Sequence, residues 1–227
     1  TVYGNLTIST GMTVNAASGT MTFGATSGTQ QITTNGKTLD FPITFDGVGG
    51  TFRLQDALTV GSTRTTTLTN GTLNLNDLTL TTGLFSSSNS NTRTIAFGTT
   101  GSIVTTTTTA AQTVLNMATA TNFTFTGTSN ISAAMSVTRT FNFGGTAGAA
   151  ASNRLNINLT SGASVPTFTG SFRQINFTGS TSNPGSQSIL CHGFTLASGG
   201  TYSATSFQTL GTGTLTYTGK TISTFSL

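Results

Sequence analysis

The chain has no tryptophan, one histidine, one cysteine and three prolines among its 227 residues, and glutamate is absent altogether. Each scarcity removes a class of function. A single cysteine, Cys191, excludes an internal disulfide. The lone His192 stands directly beside it, but neighbours on a strand face opposite ways, so the two cannot form a thiol–imidazole pair. One His, one Cys and four Asp are also too few soft ligands for a structural zinc site. Charge is sparse too: 5% of residues are charged, about a fifth of the usual share. The net charge of +4 comes from scattered bases, not from the stripe or patch of a nucleic-acid binder. No apolar run approaches the length of a membrane helix. Neither nucleic-acid binding nor membrane insertion is expected.

Threonine takes the place of charge, at about a quarter of the chain. It is β-branched, which favours strands over helices. Apolar residues interrupt the Thr, Asn and Gly background at strand period. A phrase of Gly-Thr-apolar-any-apolar returns as Gly19–Phe23, Gly50–Leu54, Gly71–Leu75 and Gly213–Tyr217. Strand starts can be followed at Thr20, Thr51, Thr72, Thr94, Thr113, Thr140, Arg154, Arg173, Ile189 and Thr214. Their mean spacing is about 21–22 residues, the length of two or three short strands with tight corners. The spacing predicts an all-β protein, a β-solenoid of the parallel β-helix type. The alternative is an antiparallel sandwich or jelly roll, which the hairpin-prone pairs Asn35-Gly36 and Asn70-Gly71 favour. No linker divides the chain. Residues 1–227 are expected to form one elongated repeat domain, a fragment or the visible part of a longer chain.

Two sets of residues carry candidate chemistry. Asp56 and Asp77 recur 21 residues apart in the matched segments GTFRLQDALTV and GTLNLNDLTL. On adjacent coils their carboxylates would stack about 5 Å apart, a spacing that suits a retaining glycosidase pair or, with Asn74 or Asn76, a calcium site. The plainer reading is that Asp suits a corner. The second set is Arg64, Arg93 and Arg139, each flanked by threonines at a strand start. Guanidiniums recurring along one edge would meet an anionic surface or a partner subunit, or would discourage edge-to-edge pairing.

The stretch from Asn35 to Gly101 resembles the Thr/Gly/Asn-rich repeat proteins of marine tailed bacteriophage virion appendages. The likeness is strongest in GGTFRLQDALTVG (49–61) and SSSNSNTRT (86–94), and it fades into general repeat character beyond. No catalytic motif defines that group, so no active-site residue carries over and no cofactor is implied. The resemblance implies a structural or host-contact component of the virion surface: a fibre, spike or capsid decoration, not an enzyme. Its expected partners are other virion proteins, further copies of itself (a trimer by analogy to fibres) and a host surface glycan. Bacterial cell-surface adhesins share the composition and are the alternative. A polysaccharide depolymerase and an ice-binding protein, the latter through Thr ladders, stand lower.

Overall fold

Every strand pairing among the described residues is parallel. The computed structural model describes residues 1–134, 136–144, 155–161, 166–178, 188–196, 205–217 and 225–226. It contains no helix among them, and stacks its strands as a β-solenoid of about seven turns. The sandwich alternative is thereby excluded.

Each early coil has three sides. The first side stacks Met21, Ile43, Thr66, Phe85, Leu115, Phe141 and Phe168 in successive register. The second stacks Phe52, Leu73, Ile95 and Phe125. The third runs through Leu58, Leu80, Ile103, Ile131, Ile157, Ile175 and Phe194 to Leu215. Two-residue periodicity turns one set of side chains inward. In Arg93–Gly98, residues 93, 95 and 97 are buried and their neighbours are half-buried. The interior is therefore a set of apolar files. Phe23 stacks on Phe45 with ring centroids 5.2 Å apart, and Phe141 on Phe168 at 5.4 Å. Each fully buried ring or Leu side chain contributes about 1.5–3 kcal/mol.

The corners explain why hairpin-prone pairs do not make hairpins. Asn35 and Gly36 take successive left-handed conformations (φ 51° and 72°), as a tight two-residue turn requires. Yet the strands on either side, Thr29–Thr33 and Thr38–Leu39, pair with the next coil and not with each other. The turn rotates the chain from the second side to the third. Asn70-Gly71 lies inside the strand Thr65–Asn74, where the first side bends into the second. Gly71 has φ +80°, and a Cβ there would lie 2.3 Å from the carbonyl oxygen of Gly47.

The mean period hides three regimes. Leu58 pairs with Leu80 and Leu80 with Ile103, steps of 22 and 23 residues. Ile95 then pairs with Phe125, a step of 30, and Ile103 with Ile131, a step of 28. Ile157 pairs with Ile175 and Ile175 with Phe194, steps of 18 and 19. The expected strand starts consequently mark different sides: Thr20, Thr113 and Thr140 belong to the first, Thr51, Thr72 and Thr94 to the second. Arg154 lies outside the described residues. Among those residues the second side ends with Phe123–Gly127, and Thr167–Phe177 passes from the first side straight into the third. The longest of these steps thus fall on the middle coils, whose corners carry the loops 87–92 and 118–122.

Candidate functional site: corner carboxylates and interior arginines

The two aspartates do occupy one corner on adjacent coils, but their carboxylates diverge. Asp56 reaches back one coil. It accepts hydrogen bonds from the amides of Thr34 (2.8 Å) and Gly36 (3.2 Å) and from the Thr34 hydroxyl (3.1 Å). Asp77 reaches forward one coil, to the amides of Thr99 (2.5 Å) and Thr100 (3.0 Å). Those amide bonds, Thr100 first and then Thr99, hold the Asp77 carboxyl below its ordinary pKa. Asn76 and Asp77 both sit at positive φ (53° and 63°), a conformation that Asn and Asp tolerate better than most residues. Asn76 accepts from Arg53 at 2.7 Å and donates to the Leu54 carbonyl at 3.0 Å. The corner is a continuous hydrogen-bonded seam between coils. No group of three or more metal-ligating side chains occurs among the described residues. The expected stacked pair is corrected accordingly: each carboxylate serves a different neighbour.

The other two acids are also engaged within the chain. Asp40 pairs with Arg64 at 2.8 Å, both partly exposed. Asp46 accepts from the Asn70 amide at 2.6 Å. All four acids of the sequence therefore have partners in the fold.

The arginine expectation needs the larger correction. Arg64, Arg93 and Arg139 do not form an exposed edge. Arg64 is half-buried in its ion pair. Arg93 is 0% exposed and Arg139 1%. The reason is phase: Arg93 precedes Ile95 and Phe97 by two and four residues, and Arg139 precedes Phe141 and Phe143 likewise, so both side chains turn inward with the core. Nor do these two share a side, since Arg93 pairs with Gly71 and Phe123 on the second and Arg139 with Gln112 on the first.

Arg93 is nearly saturated with acceptors. Its Nε donates to the Ser87 hydroxyl (3.0 Å), Nη1 to Asn89 Oδ1 (2.8 Å) and the Asn91 carbonyl (2.6 Å), and Nη2 to the Thr119 carbonyl (2.9 Å). Longer bonds reach the Ser87 and Thr121 carbonyls at 3.2 and 3.3 Å. The guanidinium also lies 5.3 Å from the centroid of the Phe123 ring. It ties loop 87–91 of one coil to loop 118–122 of the next, where the coils are widest. Arg139 has much less. Nη1 donates to the Thr105 carbonyl at 3.3 Å and Nη2 to the Thr107 carbonyl. Its Nε is buried without a partner, alone in this among the described residues. Burial pulls both guanidiniums below the ordinary arginine pKa, yet both stay cationic at neutral pH.

Outside, the coils present ladders that are mostly uncharged. Thr29, Thr51, Thr72, Thr94 and Thr124 align on the second side. The parallel file is mixed, reading Gln31, Arg53, Asn74, Ala96 and Thr126, so the threonines stand in single file and not as a two-rank Thr-x-Thr array. On the third side Asn176 donates to Asn158 at 2.7 Å, and Asn158 in turn donates to Asn130. Cys191 is buried, which pushes its thiol up to about 12. The His192 side chain lies outside the described residues.

No family model matches the chain, and no match was found among curated proteins or solved structures.

Proposed function

We propose that this chain is a structural, host-contacting component of a phage virion surface appendage, a fibre, spike or capsid decoration. The observation that carries this reading is the disposition of its few charges. All four Asp side chains are bound within the fold, and two of its arginines are inside it, which leaves the outer surface of the described residues made largely of Thr, Asn and Ser. Hydrolysis of a glycan needs a free acid and base or nucleophile flanking the bond. Here the acids brace corners instead, which favours a rigid scaffold whose mechanism is shape. A rod of stacked coils has open ends that need covering. Self-association or docking to other virion proteins supplies that cover, with a trimer as the first expectation by analogy. The resemblance of residues 35–101 to phage appendage repeats supplies the virion context.

The test is mass spectrometry of purified virus particles alongside the host-cell fraction. Tryptic peptides of this chain at many copies per particle support the reading. Peptides confined to the host surface fraction would replace it with a cell-surface adhesin. A depolymerase would instead reveal itself by polysaccharide cleavage lost in Asp56→Asn or Asp77→Asn.

A further inference from the structure

Arg139 is among the residues lining a half-open cavity of about 390 Å³ on the wide middle coils. Its lining includes the buried residues Thr105 and Ala133 and the exposed residues Thr108, Ala134 and Ser136. The volume is in the range of small-molecule sites. Among the described residues the lining is six Ser or Thr side chains, three small apolar residues and Arg139, a polar rather than greasy wall.

We propose that this cavity binds a carboxylate carried by a small ligand of the size of an acidic sugar, with Arg139 as its counter-ion. Three observations converge on it. The guanidinium is buried, but among the described residues two backbone carbonyls are its only hydrogen-bond partners and Nε has none. A buried donor on a charged group is costly to leave unmade. No acidic side chain is left to neutralise it, because all four Asp are engaged elsewhere and none occurs after Asp77. The second interior arginine shows what a purely internal role looks like here, with acceptors on all three nitrogens and an aromatic ring beneath.

The chemistry selects the ligand class. Nε–H and the adjacent Nη2–H form one edge of the guanidinium, which matches the two oxygens of a carboxylate. A single cation balances one negative charge, and no other Lys or Arg occurs among the described lining residues, so a dianion such as phosphate is underserved. Binding turns that edge toward the cavity and releases the Thr107 carbonyl contact. This site does not depend on the virion assignment.

Calorimetric titration of the full chain with sodium glucuronate tests it, with glucose as the neutral probe and inorganic phosphate as the competing anion. The expected result is measurable glucuronate binding, at least about tenfold tighter than glucose or phosphate. Ala134→Phe adds a ring at an exposed position of the lining and should weaken glucuronate by at least about tenfold, with an unchanged circular dichroism spectrum. Arg139→Met should do the same. Four results overturn the proposal: no glucuronate binding, equal binding of glucose, equal or tighter binding of phosphate, or undiminished binding by folded Ala134→Phe protein.

Discussion

Arg93 and Arg139 are the same residue at the same place in a strand, buried to the same degree, and their surroundings differ. Arg93 sits between two long loops whose carbonyls and side chains converge on it. Arg139 meets two carbonyls and a cavity. The difference teaches that burial of a cation does not define its role. Where loops of two coils supply acceptors on all three nitrogens, the arginine acts as a polar core. Where they do not, desolvation is left uncompensated and an external anion can complete the shell.

The largest effect should come from Arg93. Arg93→Met keeps an unbranched apolar stem but is shorter and has no donors, so it strands the carbonyls of Ser87, Asn91, Thr119 and Thr121. We expect a loss of about 3–5 kcal/mol of unfolding free energy, read by denaturant titration, since each unsatisfied buried group costs about 1–3 kcal/mol. A loss below about 1 kcal/mol would break the comparison, because the loops would then hold themselves. Second is Gly127→Ala on the strand beside Arg93. Gly127 has φ +79°, and a Cβ would lie 2.1 Å from the Gly98 carbonyl oxygen. Strain and clash together should cost about 1–3 kcal/mol and lower the melting temperature. That result would show that the coil spacing around Arg93 is rigid.

Arg139→Met should fall well below both. It removes a desolvated charge that the protein satisfies only in part, and a hydrophobe of similar volume is often neutral or stabilising there. The expected change is within about 1 kcal/mol of zero, with either sign, in the same denaturant titration. A loss equal to that of Arg93→Met would erase the distinction between the two sites.

Much of this was legible before any coordinates. Alternation in segments such as Gly50–Leu54 placed the strands, and the recurrence of that phrase favoured stacked coils over hairpins. The widening of the middle coils was not legible, because loops such as 87–92 and 118–122 lengthen a corner without disturbing the alternation on either side. The burial of the arginines was legible in principle. Arg93-Thr94-Ile95-Ala96-Phe97 and Arg139-Thr140-Phe141-Asn142-Phe143 put the cation in phase with the core, and only the habit of placing charge outside obscures it. The divergence of Asp56 and Asp77 had no sequence signal. Which coil a corner carboxylate serves depends on where the amides of that coil stop, a property of the stack and not of the 21-residue spacing.

The smallest effect belongs to the exposed corner, where the same task of bracing one coil on the next falls to a solvated anion. Asp77 is ionised more readily in the folded protein than in the unfolded chain, because the amides of Thr100 and Thr99 stabilise its charge. A depressed folded pKa means that its contribution is present above the unfolded value, 3.8 for an ordinary Asp, and is lost as pH falls through the lower folded value. Asp77→Asn removes the charge and retains one acceptor oxygen. The stability gap between wild type and Asp77→Asn should therefore be flat at neutral pH and close progressively below pH 3.8. Arg93→Met, whose cation does not titrate in that range, should show a gap that persists over the same acid interval. A gap for Asp77→Asn that stays constant into acid would mean that hydrogen-bond geometry alone, without charge, braces this corner. The contrast between charged groups inside the coils and at their edges would then lose its electrostatic basis.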